Sequence, residues 1–96
     1  MRIKIDPERV YEECRKLSQC IRVSREHQKA MKRIGEETKE CCQTETHKIM
    51  YVQWMGMIGQ YERIIEFHEE LVREMHSLCQ DYEEMEKAIV KRIEGI

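Results

Sequence analysis

Apolar side chains recur at alternating spacings of four and three residues over most of the chain, and this repeat restricts the fold more than any other feature. It marks one face of an α-helix, whereas an amphipathic strand repeats every two residues. One Pro in 96 residues, with 38% charged and 41% hydrophobic residues, is typical of long amphipathic helices. We therefore predict an all-α protein with a single domain over residues 1–96.

The first helix has a clear start signal. Asp6 is a favoured N-cap residue, Pro7 is tolerated at the first helical position, and Glu8 suits the positive end of the helix dipole. Residues 1–5 alternate and predict an extended lead-in. The four-three repeat then continues from Val10 to Val52, so the predicted first helix covers residues 7–52. Its polar stretch at 36–48 is expected to be the most solvated part, and to bend or fray.

The predicted reversal of the chain lies at residues 53–59. Gly56 and Gly59 each cost a helix about 1 kcal/mol relative to Ala, and they follow the single Trp54. A large aromatic side chain beside a break is suited to folding over the corner between two helices. We predict an elbow here, with Trp54 and Gly56 at its centre.

The second helix is predicted over residues 60–94, with Gly95 as its C-terminal stop. An antiparallel hairpin turning near residue 55 places Arg25 and Lys29 opposite acidic residues of the second helix, which are Asp81, Glu83 and Glu84. The apolar stripe of this helix has two adjacent apolar residues in most turns, which is more than one neighbouring helix can cover. We therefore expect two hairpins to pack into a four-helix bundle, as a homodimer or with a related partner.

Composition excludes several classes of function. A net charge of −2 gives no field that attracts nucleic acid, no apolar run is long enough to cross a bilayer, and the N-terminus lacks a signal-peptide h-region. Five cysteines form no CxxC motif and are interpreted as small reduced helix residues; a metal role for Cys41, Cys42 and His47 is disfavoured by their spacing. We predict no catalytic, cofactor or metal site, and no enzymatic activity.

Together, these features resemble the WXG (Esx-like) family of small type VII secretion proteins. The resemblance rests on the predicted two-helix architecture, the lead-in Ile3-Lys4-Ile5-Asp6-Pro7-Glu8, the elbow Trp54-Met55-Gly56, and the segment Tyr82-Glu83-Glu84-Met85-Glu86. That segment matches the family's export signal, a Tyr followed four residues later by an acidic residue. The cysteines, and an elbow displaced toward the C-terminus, depart from the family pattern.

The resemblance implies a non-enzymatic function through protein–protein contacts. Trp54 and Gly56 would form the elbow motif, and Tyr82 and Glu86 the export signal that a secretion ATPase recognises; packing in the core is the alternative role for Tyr82. The implied partner is the chain itself, a related hairpin, or the helical N-terminal domain of a larger toxin. The implied location is outside the cell, after export from the cytoplasm without a cleaved signal peptide. The alternative function is a coiled-coil adaptor or chaperone that stays in the cytoplasm.

Overall fold

The computed structural model describes residues 5–95, which form two long helices joined by a short turn. Helix α1 covers Pro7–Cys41, with 35 residues, and helix α2 covers Glu45–Glu94, with 50 residues. They pack antiparallel into a rod measuring 79 × 20 × 19 Å, and the described part of the chain contains no strand. The predicted all-helical hairpin is therefore confirmed. Most of the predicted extended lead-in lies outside the described residues.

The two outer helix ends lie where the sequence places them. The Asp6 side chain accepts a hydrogen bond from the backbone N–H of Arg9 at 3.3 Å, and Pro7 is the first residue of α1. Helix α2 ends at Glu94, and the backbone N–H of Gly95 donates to the carbonyl of Lys91 at 2.9 Å. These capping interactions satisfy backbone groups that the helix ends otherwise leave without a partner.

The predicted elbow at residues 53–59 is wrong. Helix α2 continues through Trp54, Gly56 and Gly59 without a break, and the chain reverses between Cys42 and Thr44 instead. The first helix therefore ends at 41 rather than 52, and the second begins at 45 rather than 60. The real turn falls within the polar stretch that was expected to bend.

Local capping and helix propensity explain this position of the turn. Cys42 adopts an extended conformation with φ −130° and ψ 113°, and the Thr44 side chain accepts a hydrogen bond from the N–H of His47 at 3.1 Å. Cys and Thr are weak helix formers, and Thr is a good N-cap. The glycine pair costs about 2 kcal/mol in all, which the packing of neighbouring α2 side chains against α1 offsets.

The core is a single row of side chains between the helices. Three residues of α1 are buried, Cys14, Gln28 and Gly35, and three of α2, Ile58, Ile65 and Cys79. All six occupy positions of the four-three repeat or of its extension across the glycine pair. The row is narrow because two helices can cover only one side of each other.

The earlier turn also changes which charged residues meet. Arg25 pairs with Glu62 and Glu69, rather than with the acidic residues at 81–84. When the turn lies near residue 43 instead of residue 55, each residue of α1 faces a residue of α2 that comes earlier in the chain. The shift in sequence is roughly twice the shift of the turn. The prediction that Arg25 pairs with acidic residues of the second helix is therefore confirmed, but the predicted acidic residues are wrong.

Candidate interaction face

Trp54 of α2 contacts α1 near the turn and holds the two helices together. Its indole Nε1–H donates a hydrogen bond to the backbone carbonyl of Met31 at 2.9 Å. Its ring lies against Gly35, where an added Cβ would come within 2.9 Å of Trp54 Cδ1 and 3.1 Å of Nε1. Gly35 is needed for this close approach, whereas a Cβ at Gly56 or Gly59 would meet nothing within 4 Å.

A groove lies beside this contact, between the last turns of α1 and the first turns of α2. Its volume is about 250 Å³. We call it the corner groove; its lining residues are Ile34, Gly35, Thr38, Cys42, His47, Met50, Tyr51 and Trp54. Met50 is 59% exposed and Ile34 is 48% exposed, so the groove presents apolar surface to solvent.

The wide apolar stripe of α2 separates into two parallel rows. One row faces α1, and all its members are buried or half-buried: Tyr51, Met55, Ile58, Glu62, Ile65, Glu69, Val72, His76, Cys79 and Glu83. The second row, which we call the outer seam, keeps the same four-three spacing one residue earlier in the chain. It consists of Met50, Trp54, Met57, Tyr61, Ile64, His68, Leu71, Met75, Leu78, Tyr82, Met85 and Ile89.

The outer seam is more apolar than the row that faces α1, yet it is less covered. Six of its members are at least half exposed: Met50, Met57, Ile64, Leu78, Met85 and Ile89. The other six are half-buried. A heptad seam of this length in water is typical of a helix that packs against a further helix. The sequence predicts the width of the stripe but not its extension back to Met50, because the prediction places those residues in the first helix and the elbow.

Polar groups contribute to the interface between the two helices. Arg25 Nη1 donates to both carboxylate oxygens of Glu62, at 2.6 and 2.7 Å, and its Nη2 pairs with Glu69. The buried Gln28 amide also donates to Glu62. Nearer the turn, the Tyr51 hydroxyl donates to Glu36 at 2.7 Å. These groups pair with one another between the helices, so the exposed outer seam is the candidate interaction face.

The polar cluster predicts a pH dependence of stability. Hydrogen bonds from Arg25, and then from Gln28, hold the pKa of Glu62 below its usual value of 4.5. A carboxylate with a lowered pKa in the folded state stabilises the fold above its unfolded pKa, and this contribution is lost as the pH falls through the folded value. We expect the melting temperature to fall as the pH is lowered below about 4.5.

The Glu62→Gln variant isolates this contribution. Its melting temperature should be lower than that of the wild type at pH 7, and should decline less between pH 5 and 3. Glu70→Gln, at an exposed position on the same helix, is the matched control and should follow the wild-type profile. Parallel profiles for Glu62→Gln and the wild type would contradict the assignment.

Cysteines and histidines form no evident chemical site. Cys14 and Cys79 are buried, the other three cysteines are exposed, and all five are free thiols. Burial raises the pKa of the Cys79 thiol, which keeps it in its unreactive protonated form. Within residues 5–95, no group of three or more His, Cys, Asp or Glu side chains is arranged to hold a metal ion.

The four residues predicted from the resemblance all lie on α2. Trp54 is half-buried against α1, Gly56 is exposed in mid-helix, Tyr82 is half-buried, and Glu86 is exposed. A hydrogen bond to Glu86, followed by partial burial, raises the pKa of the Tyr82 hydroxyl. Within one chain the two pairs are about 40 Å apart, at 1.5 Å per helical residue. The fold therefore does not bring them together in a single molecule.

Comparison of the chain with protein-family models, with curated proteins and with solved structures finds no significant match. Neither described helix is long and apolar enough to cross a membrane.

Proposed function

We propose that this protein is a non-enzymatic binding module that uses its apolar face to pair with a second amphipathic helical hairpin. The observation that carries the proposal is the outer seam of α2, a heptad row of mostly apolar side chains of which six are at least half exposed and six are only half-buried against α1. Burying a half-exposed Met, Ile or Leu contributes about 1 kcal/mol. Six such side chains on each hairpin supply a substantial driving force for association.

Residues of α1 extend the same face. Ile34 and Thr38 line the corner groove together with Met50 and Trp54, which places them on the seam side of the hairpin. Repeating the Thr38 position in steps of seven gives Met31, Ser24, Leu17 and Val10, which are half-buried, whereas repeating the Ile34 position gives His27, Cys20 and Glu13, which are exposed. A second hairpin laid on this face would complete a four-helix bundle.

The solution mass of the purified protein tests the proposal. Light scattering behind size exclusion, over a dilution series, should give twice the 11.7 kDa of one chain at micromolar concentrations if the partner is a second copy. If the partner is a related hairpin, the twofold mass should appear only after mixing with that protein. A monomer at high concentration that also fails to pair with any helical hairpin would overturn the proposal.

Export by a type VII secretion system is a second, more specific candidate function. The spacing of Tyr82 and Glu86 favours it, because it places an aromatic ring and a carboxylate one helical turn apart on α2, where Tyr82 is half-buried and Glu86 is exposed. The position of Trp54 weighs against it, because the residue lies ten residues beyond the turn instead of at the turn. The competing candidate is an adaptor or chaperone that remains in the cytoplasm.

Export can be separated from folding with variants of the outer seam. If Tyr82 is read as a signal, Tyr82→Ala should stop export while far-ultraviolet circular dichroism and solution mass stay at wild-type values. Met85→Ala, on the same seam, is the matched control and should be exported. Retention of the wild-type protein in the cytoplasm of a strain with an active type VII system would favour the adaptor.

A further inference from the structure

The two helices differ in length, and the difference leaves one end of α2 extended. The Tyr11 ring lies 5.1 Å from the His76 ring, measured between centroids, so the first turns of α1 lie alongside residues near 76–83. Residues 84–94 continue past the start of α1 at Pro7. We call this segment, about 16 Å long, the C-terminal arm.

The C-terminal arm is apolar where a neighbouring helix would contact it. Four of its side chains are at least half exposed: Met85 at 55%, Ile89 at 50%, Val90 at 50% and Ile93 at 66%. Met85 and Ile89 are the last two members of the outer seam. The opposite end of the rod contains the corner groove, which is also apolar and exposed. The hairpin therefore has a projecting apolar segment at one end and an apolar groove at the other.

The outer seam is symmetric about the middle of α2. The midpoint of Glu45–Glu94 falls between Glu69 and Glu70, and six seam positions lie on each side at mirrored intervals. A twofold axis perpendicular to the helix at this midpoint places every seam position of one copy opposite a seam position of another. In this register Met50 lies opposite Ile89 of the second copy, and Trp54 lies opposite its Met85.

Any four-three repeat allows such an axis at the centre of each interval, and the arm and the corner groove at opposite ends of the rod select the axis at the midpoint of α2. We infer that the hairpin's partner is a second copy of the same chain, oriented antiparallel, whose C-terminal arm occupies the corner groove of the first copy. The inference rests on the proposed function and adds its partner and register. The arm of each copy would then lie against both helices of the other, so that the bundle is continuous over the full 79 Å of the rod.

A parallel arrangement uses the same seam less well. Among the described residues, the two C-terminal arms would contact only each other over about 11 residues, so that each arm would be covered by one helix rather than two. Each corner groove would face the other groove, with no segment to fill it. The antiparallel arrangement also brings Lys91 and Arg92 of the arm near the C-terminal end of α1, where Glu37 and Glu40 lie and where the helix dipole favours positive charge.

Engineered cysteines distinguish the two arrangements in the full-length chain. The three exposed native cysteines, Cys20, Cys41 and Cys42, are first replaced by Ser, and the buried pair is kept. Met50→Cys and Ile89→Cys are then introduced together. Within one chain these positions are almost 60 Å apart along the helix, so a disulfide between them must join two molecules. Mild oxidation should convert the double variant to a species of twice the monomer mass on a non-reducing gel.

The single variants separate the possible failures. Ile89→Cys alone should remain monomeric on the gel, because antiparallel packing holds the two copies of residue 89 far apart. Efficient cross-linking of Ile89→Cys alone would show a parallel arrangement and overturn the inference. A dimer by light scattering in which the double variant does not cross-link would overturn the register while leaving the proposed function in place. A monomer that pairs only with a related hairpin would overturn the inference, and one that pairs with nothing would overturn both.

Discussion

Replacing Trp54 by Ala should lower the free energy of unfolding by about 3 kcal/mol, as for other large-to-small changes of partly buried aromatic side chains. The change removes the ring packed on Gly35 and the hydrogen bond to the Met31 carbonyl. Trp54→Phe keeps most of the packing, loses only the hydrogen bond, and should cost about 1 kcal/mol. Urea unfolding monitored by circular dichroism, at one fixed protein concentration, measures both values.

Glycine variants provide the matched controls for this contact. Gly35→Ala should destabilise the protein, because the added Cβ would lie 2.9 Å from a ring carbon that the hydrogen bond holds in place. Gly56→Ala should stabilise it by up to about 1 kcal/mol, because the site has open space and Ala is the better helix former. A marked loss of stability in Gly56→Ala would instead support a turn at residues 53–59.

Placing a charge in the middle of the outer seam should strongly weaken association without unfolding the hairpin. Ile64 is 52% exposed, so Glu is tolerated there in a single copy, whereas in a dimer it would be buried against apolar side chains. Because each dimer contains two such substitutions, we expect Ile64→Glu to weaken dimerisation by about 100-fold or more, equivalent to roughly 3 kcal/mol. Sedimentation equilibrium measures the dissociation constant directly.

Val52→Glu is the matched control. Val52 is 69% exposed and lies on the side of α2 away from both the outer seam and the row that faces α1. It introduces the same charge in the same helix, and the dissociation constant should stay close to that of the wild type. Equal weakening by both variants would indicate a general effect of charge, and would contradict the assignment of the outer seam as the interface.

The sequence predicts the class of fold well because its strongest signals are local. The Asp6-Pro7 start depends on capping chemistry within one turn, and the stop at Gly95 likewise depends on its nearest neighbours. The four-three repeat identifies the helical faces, because any helix that packs on another must keep this spacing. These features need no knowledge of distant contacts.

The position of the turn could not be predicted as well because it depends on contacts far apart in sequence. The helix propensity of the two glycines in α2, taken alone, predicts a break. The contacts of the neighbouring Trp54 with Met31 and Gly35 of α1, however, hold this part of α2 against the other helix. Thr44 is a favourable N-cap residue that follows two cysteines, so the sequence also contains a signal for the observed turn. This signal marks a helix start less strongly than the two glycines mark a break. The full length of the outer seam follows only from the observed turn, since Met50 and Trp54 precede both glycines and Met57 lies between them.

The polar cluster around Arg25 also restricts how the two helices align. Moving α2 by one heptad relative to α1 would preserve apolar contacts along most of the row, since the repeat is regular. Such a slip would, however, take the guanidinium away from Glu62 and leave the amide of the buried Gln28 without its acceptor. A few ionic and polar side chains near the middle of a repetitive hairpin thus fix the register of the two helices. The length of α2 that extends beyond α1 is therefore also fixed.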